Sequence, residues 1–324
     1  MCTAITFTTK DHYFGRNLDL EYSFFETVTI TPRNYPLSFR HKTTLNTHYA
    51  LIGMAYIPDD YPLYYDATNE KGLSMAGLNF PGEADYKTFH PNKDNITPFE
   101  LIPWVLGQCA SVNEAMTLLS QINLLDENYS KTLKLSPLHW LIADKHTSLV
   151  LESTSSGFQI YHNPVGVLTN NPPFEMQFFH LNNYMGLSPE APENEFSSHL
   201  NLRRYSNGMG AMGMPGDWSS QSRFVKASFV KMNSVCGEVE EESVSQFFHI
   251  LGSVEHQRGC VDMGNNLYEI TVYSSCCNTD KGIYYYKTYN NSQINAVNMY
   301  NTDLNNSILY SYPLRNRQQI YRQN

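Results

Sequence analysis

The order of strand-like and helix-like segments predicts an α+β fold in which two antiparallel sheets are flanked by helices. Strand-like runs dominate the first 80 residues, helical patterns interrupt twice, and strands close the chain. Strands never alternate regularly with helices, as a doubly wound parallel sheet requires. No repeat, low-complexity tract or Pro/Gly/Ser-rich linker divides the 324 residues. A single domain over residues 1–324 is therefore expected, since layered folds often exceed the usual ~100–200 residues.

The opening strands are CTAITFT, ETVTITP, YALIGMAYI and GLSMAGLNF, each alternating or rich in β-branched and aromatic residues and bounded by turn formers. Thr97-Pro-Phe-Glu supplies a cap and an early proline for the first helical block, FELIPWVLGQC. Ser111-Val-Asn-Glu114 is a capping box leading into AMTLLSQI. Strands return at HWLIAD, SLVLEST, FQIYHN and VGVLTN. Apolar residues at helical spacing mark MQFFHLNNYMG, SRFVKASFVKMNSV and ESVSQFFHILGSV. LYEITVYSS, GIYYYKTY and QINAVNM read as the closing strands.

Hydrophobic residues make up 41% of the chain, enough for a sizeable core, and the formal net charge is −9. That balance argues against a nucleic-acid partner, because no basic patch offsets repulsion from phosphates. The first 20 residues lack a basic and then apolar leader, and no apolar run approaches the ~18 residues of a membrane span. A soluble cytoplasmic protein is expected, with Asn95-Ile-Thr and Asn128-Tyr-Ser as chance glycosylation matches. Six scattered cysteines without a CxxC pair are expected to be free thiols.

Several motifs resemble functional sites and fail on context. Gly208-Met-Gly-Ala-Met-Gly213 has dinucleotide spacing, but polar NLRRYSN precedes it and MPGDW follows. Gly72-Leu-Ser-Met-Ala lacks the second glycine of a serine nucleophile elbow. His249, His256 and Cys260 are loosely metal-like in spacing, but no metal site is expected. The acidic run from Glu238 to Glu242 reads as a solvated face or helix start.

Cys2 carries chemistry that no other position offers. Removal of Met1 leaves one residue with both a thiol and a free α-amine, and such an amine is a general base for its own nucleophile. The following TAITFT reads as a strand, which holds the terminus still. A thiolate needs cationic neighbours, and a tetrahedral intermediate needs oxyanion donors. Arg16 and Asp19 in FGRNLD, Asn79 in GLNFP, Asn170 in VLTNN and Arg223 in SRF are the candidates. Each alone is a common turn residue or surface ion-pair member.

Taken in order, MCT, FGRNLD, NEKGL, AGLNFP, LHW, GVLTN, PGD, SRF, FFHIL and GIYYY resemble the choloylglycine hydrolases from Cys2 to about Met299. The resemblance implies the four-layer αββα sandwich of N-terminal nucleophile hydrolases. It implies hydrolysis of the amide joining a bile acid to glycine or taurine, through a Cys2 thioester, with no cofactor. By motif, Cys2 is the nucleophile and its α-amine the base. Asp19 would hold the amine and Arg16 the thiolate region. Asn79 and Asn170 would orient the amine and form the oxyanion hole, and Arg223 completes the cluster. A rigid steroid needs an apolar pocket, for which Leu18, Pro58, Tyr65, Leu133 and Leu135 are candidates. The resemblance also implies a homotetramer, and no pro-segment beyond Met1. Two alternatives are a penicillin V acylase-type amidase of the same family, disfavoured by Asn79, and an inactive ligand-binding relative, disfavoured by the intact polar set.

Overall fold

The computed structural model describes residues 1–324. β1 (Cys2–Thr8) and β2 (His12–Leu20) form an opening hairpin. A meander follows through β3 (Thr27–Thr31), β4 (Leu51–Tyr56), β5 (Leu63–Asn69) and β6 (Ser74–Asn79). The short parallel pair β7 (Asp94–Ile96) and β8 (Ile122–Leu124) brackets α1 (Leu101–Leu106) and α2 (Val112–Leu119). Next come β9 (Leu138–Ala143), β10 (Ser148–Thr154), β11 (Gly157–His162) and the two-residue β12 (Val167–Leu168). α3 (Phe174–His180), α4 (Ser220–Asn233) and α5 (Glu240–Gly252) form the second helical block. β13 (Asp262–Gly264), β14 (Leu267–Tyr268), β15 (Ile270–Asn278), β16 (Ile283–Thr288), β17 (Asn291–Asn298) and β18 (Tyr310–Pro313) close the chain.

Two antiparallel sheets result. One runs β12-β1-β2-β15-β16-β17 and the other β11-β10-β9-β6-β5-β4-β3-β18. Alternation along each strand divides the core. Ile52 and Met54 of β4, with Ala76 and Leu78 of β6, join the cluster that also holds Ala4 and Phe14 of the first sheet. Leu51, Ala55 and Met75 point the other way, to Leu101, Trp104 and Val105 of α1. Phe224 of α4 and Phe247 and Leu251 of α5 bury against the outer side of the first sheet. The layers are therefore helix, sheet, sheet, helix, as expected of the αββα sandwich.

Caps act where their chemistry is written. The Glu114 backbone N–H donates to Ser111 Oγ at 3.3 Å at the start of α2. Thr97 and Glu100 form a reciprocal capping box at the turn before α1. Two expectations shift. VGVLTN pairs over only Val167 and Leu168, which frees Thr169 and Asn170 from the ladder. The helical pattern ESVSQFFHILGSV ends as α5 at Gly252, so Ser253 and Val254 fall outside it and His256 lies beyond the helix that carries His249.

β2 and β5 carry no strand signal that alternation alone detects. His12–Leu20 is buried along nearly its whole length because sheet and helices cover opposite faces. Its buried polar residues, Arg16, Asn17 and Asp19, hide the pattern. Gly15 fits because β15 passes too close for any side chain; an added Cβ would lie 2.0 Å from the Ser275 carbonyl oxygen. No helix is long and apolar enough to cross a membrane.

Candidate active site

The hairpin register builds the first half of the site. Cys2 lies opposite Leu18, and Ala4 opposite Arg16, so Cys2, Arg16 and Leu18 share one strand face. That face opens into a cavity of about 310 Å³ between the sheets. The alternate face carries Thr3, Asn17 and Asp19 toward α4 and α5, where Asn17 Nδ2 donates to the Leu251 carbonyl at 3.0 Å.

Chain segments distant in sequence complete the cluster. Asn170, just past β12, accepts the Cys2 backbone N–H on Oδ1 at 2.8 Å. The same oxygen accepts Arg223 Nη2 at 2.8 Å, and its Nδ2 donates to the Asn79 carbonyl at 2.6 Å. Arg223, in the first turn of α4, donates to the Cys2 carbonyl at 2.5 Å and to Thr3 Oγ1 at 2.7 Å. Arg16 Nη1 donates to the carbonyls of Tyr65 and Gly77 at 3.0 and 2.5 Å, while its buried Nη2 has no partner. The Asn79 side chain is exposed and lines the cavity mouth, beside Cys2 and Arg16.

Asp19 is fully buried. Thr271 Oγ1 donates to its Oδ1 at 2.6 Å, and Oδ2 lies 4.0 Å from Arg223 Nη1. The Met1 ammonium donates to the Asp19 carbonyl at 2.6 Å, and the Asp19 N–H donates to the Met1 carbonyl at 2.9 Å. Met1 thus extends β1 along β2 for one more residue.

Burial governs the charges, and partners modulate them. Burial raises the Asp19 carboxyl, opposed by Arg223, the terminal ammonium, Thr271 and Arg16. Burial opposes the Arg16 charge, but Cys2, Tyr273, Asp66 and Asp19 outweigh it and hold the guanidinium above its ordinary value. Arg223 is lowered by burial, with Asp19 and Cys2 opposing. The terminal ammonium is lowered chiefly by burial, with Arg223 and Arg16 adding to the effect. That shift belongs to the Met1 ammonium, which stands one residue before the Cys2 nitrogen.

The cavity is mainly apolar. Leu18, Tyr65, Leu133 and Leu135 line it, as do Phe99, Tyr129 and Leu138, which the sequence reading did not name. Pro58 is not part of the wall; it sits behind it, its carbonyl accepting the Tyr129 hydroxyl at 3.2 Å.

A supporting shell went unnoticed in the sequence. Ser220 Oγ accepts the Asn170 N–H at 2.8 Å, and Gln177 Nε2 donates to the Asn170 carbonyl. His139, stacked on Phe80 with ring centroids 4.2 Å apart, bridges Glu152 Oε1 and the Thr169 carbonyl at 3.0 and 2.9 Å. Of this shell, LHW contains His139, AGLNFP contains Phe80 and GVLTN contains Thr169, whereas Glu152, Gln177 and Ser220 lie outside the motifs.

Comparisons with known proteins agree with this architecture. A family model described as linear amide C–N hydrolases, choloylglycine hydrolase family, matches residues 2–312. A bile salt hydrolase/transferase of Lactiplantibacillus plantarum is 57% identical over 321 residues, 99% of each chain. One from Clostridium perfringens is 38% identical over 318 residues, 96% of each chain. The crystal structure of a C2A mutant of the Clostridium perfringens conjugated bile acid hydrolase superposes with a TM-score of 0.93 at 36% identity, covering all of both chains. A penicillin V acylase from Agrobacterium tumefaciens shares the fold, with a TM-score of 0.73 at 18% identity over 98% of this chain and 94% of its own.

Proposed function

This chain belongs to the choloylglycine hydrolase family of linear amide C–N hydrolases, and on that premise we propose that it is a bile salt hydrolase using Cys2 as an N-terminal nucleophile. Its substrates are glycine- and taurine-conjugated bile acids. The observation that carries the mechanism is the 2.8 Å contact from the Cys2 nitrogen to Asn170 Oδ1. Once Met1 is removed, that nitrogen is the α-amine, and Asn170 sets the direction of its lone pair.

The amine takes the Sγ proton as sulfur attacks the scissile carbonyl. The tetrahedral oxyanion receives donors at the cavity mouth, where Asn79 stands beside the thiol. Collapse breaks the C–N bond, and the amine hands its proton to the departing glycine or taurine nitrogen. Water then attacks the thioester, the amine accepts its proton, sulfur regains a proton, and the bile acid leaves. Arg16, which lines the cavity with Cys2 and keeps Nη2 unpartnered, stabilises the thiolate. Arg223 holds the Cys2 carbonyl, and the Asp19 carboxylate is assigned to hold the α-amine that removal of Met1 exposes.

The steroid occupies the cavity of about 310 Å³, within the ~300–1,000 Å³ range of small-molecule sites. Its walls supply apolar burial, which the net charge of −9 cannot replace for an anionic ligand. One domain over residues 1–324 carries the activity. Large apolar side chains stand exposed from the end of α3 to the start of α4, among them Phe179, Met185, Phe196, Tyr205 and Met212. Such a concentration supports a subunit interface, and the proposed assembly is a homotetramer. Six unpaired cysteines support a reducing, cytoplasmic compartment.

The decisive experiment is a parallel assay of glycocholate, taurocholate and penicillin V, following release of the amine product. Preference for the two bile salts is expected. Preference for penicillin V would overturn the substrate assignment while leaving the nucleophile in place.

A further inference from the structure

On the side of β2 turned away from the substrate cavity, two buried residues have polar atoms without partners. Asp19 Oδ2 accepts no hydrogen bond, and neither ring nitrogen of His256 has a partner. Both side chains are inaccessible to solvent, and His256 Nε2 lies 3.7 Å from Asp19 Oδ2. Roughly 0.8 Å separates this approach from hydrogen-bond length. Buried polar groups are rarely left unpaired without a functional reason.

The backbone around His256 is fixed to the same carboxylate. Its N–H donates to Thr271 Oγ1 at 2.8 Å, and that hydroxyl donates to Asp19 Oδ1 at 2.6 Å. The Thr271 N–H returns to the His256 carbonyl at 3.1 Å. His256 also borders a second, polar cavity of about 140 Å³, lined by Glu255, Thr271, Ser274, Lys287 and Tyr289 among others. One side of the imidazole therefore meets Asp19.

We propose that His256 is a positioning residue for the reaction: its Nε2–H donates to Asp19 Oδ2, and together with Thr271 on Oδ1 it fixes the carboxylate that holds the Cys2 α-amine. The ring acts as a neutral donor. Burial, then Arg223 and the terminal ammonium, push His256 down to about 3. The inference rests on the proposed role of Asp19.

Asp19 faces a defined set of charges. Arg223 comes from α4, the terminal ammonium from Met1 just before β1, and Arg16 from β2 itself. His256 approaches from the segment after α5, with Glu255 beside it and Lys287 of β16 across the polar cavity. Glu269, just before β15, pairs with the chain terminus. Among these, His256 is the neutral donor that can be exchanged without altering net charge.

The test uses full-length protein whose intact mass shows loss of Met1. For His256→Leu, kcat/KM for glycocholate should fall roughly tenfold, the loss of one hydrogen bond to a charged group. KM should stay within about twofold. The acid limb of the kcat/KM profile should move up by about one pH unit, because an Asp19 carboxylate without this donor takes a proton more readily. His256→Gln keeps an N–H and should restore most of both. An unmoved acid limb in His256→Leu, or a His256→Gln variant that behaves like it, overturns the proposal. Should His256→Leu fail to fold, ¹⁵N NMR of the wild-type ring decides. A neutral, Nε2-protonated tautomer between about pH 5 and 7 is expected, and an Nδ1-protonated one refutes the contact. Asp19→Asn separates the premises. A fully active Asp19→Asn sinks the role of Asp19; an inactive one beside an unmoved His256→Leu sinks His256 alone.

Discussion

Asn170 and Cys2 are 168 positions apart in the chain, yet the side-chain oxygen of one accepts the backbone N–H of the other at 2.8 Å. Arg223 reaches the same oxygen at 2.8 Å. Removing that oxygen strands two buried donors at once. Asn170→Ala is predicted to lower kcat by roughly 10²–10³ with little change in KM, because the loss falls on transition-state alignment. Steady-state kinetics on glycocholate check it; a wild-type kcat would remove Asn170 from the mechanism.

In the proposed mechanism the nucleophile and its base are one residue. Active protein is predicted to begin at Cys2, and intact-mass measurement reads this directly. Full activity in a sample retaining Met1 would sink the α-amine mechanism. Cys2→Ser should fold and lose nearly all turnover, since a hydroxyl is the poorer nucleophile near neutral pH.

Leu133 lies on the cavity wall, away from the reacting atoms. Leu133→Ala is predicted to raise KM for glycocholate several-fold, matching about 1 kcal/mol of lost apolar burial. kcat should stay within about twofold, because uniform binding is what is lost. A kcat effect larger than the KM effect would place Leu133 in alignment rather than in binding.

Loss of stability in acid is predicted to originate in part at His12. Burial, opposed by Asp280 and Asp144, lowers its pKa from 6.5 to about 4. Between those values the unfolded chain binds the extra proton, so stability rises with pH across that window and is lost as pH falls through it. His12→Gln is predicted to flatten urea stability between pH 6.5 and about 4 by about 1 kcal/mol or more. An unchanged pH slope would exclude His12 as the source.

The exposed apolar stretch from the end of α3 to α4 gives the assembly a direct test. Phe179→Asp with Phe196→Asp, at side chains 74% and 82% exposed, should shift a tetramer toward smaller species in light scattering. Unaltered mass would place the interface elsewhere.

The sequence by itself determined the layer order, the helix caps and the candidate nucleophile. Each is local: alternation writes strands, Ser111 and Thr97 write helix starts, and only an N-terminal cysteine combines thiol and amine. The polar candidates Arg16, Asp19, Asn79, Asn170 and Arg223 were legible as interruptions of apolar runs. β2 escaped that reading because it is covered on both faces, so burial is no longer encoded by a period of two.

Tertiary structure alone decided how the candidates meet. The hairpin register sets Cys2 and Arg16 on one face and Asp19 on the other, a division no spacing argument supplies. It put Pro58 behind the cavity wall and brought Phe99 and Tyr129 into it. It also brought His256 from past the end of α5 to within 3.7 Å of Asp19. Such contacts join segments some 240 residues apart. Their partners are chosen by sheet pairing and helix packing, and those long-range choices leave no mark on the local pattern.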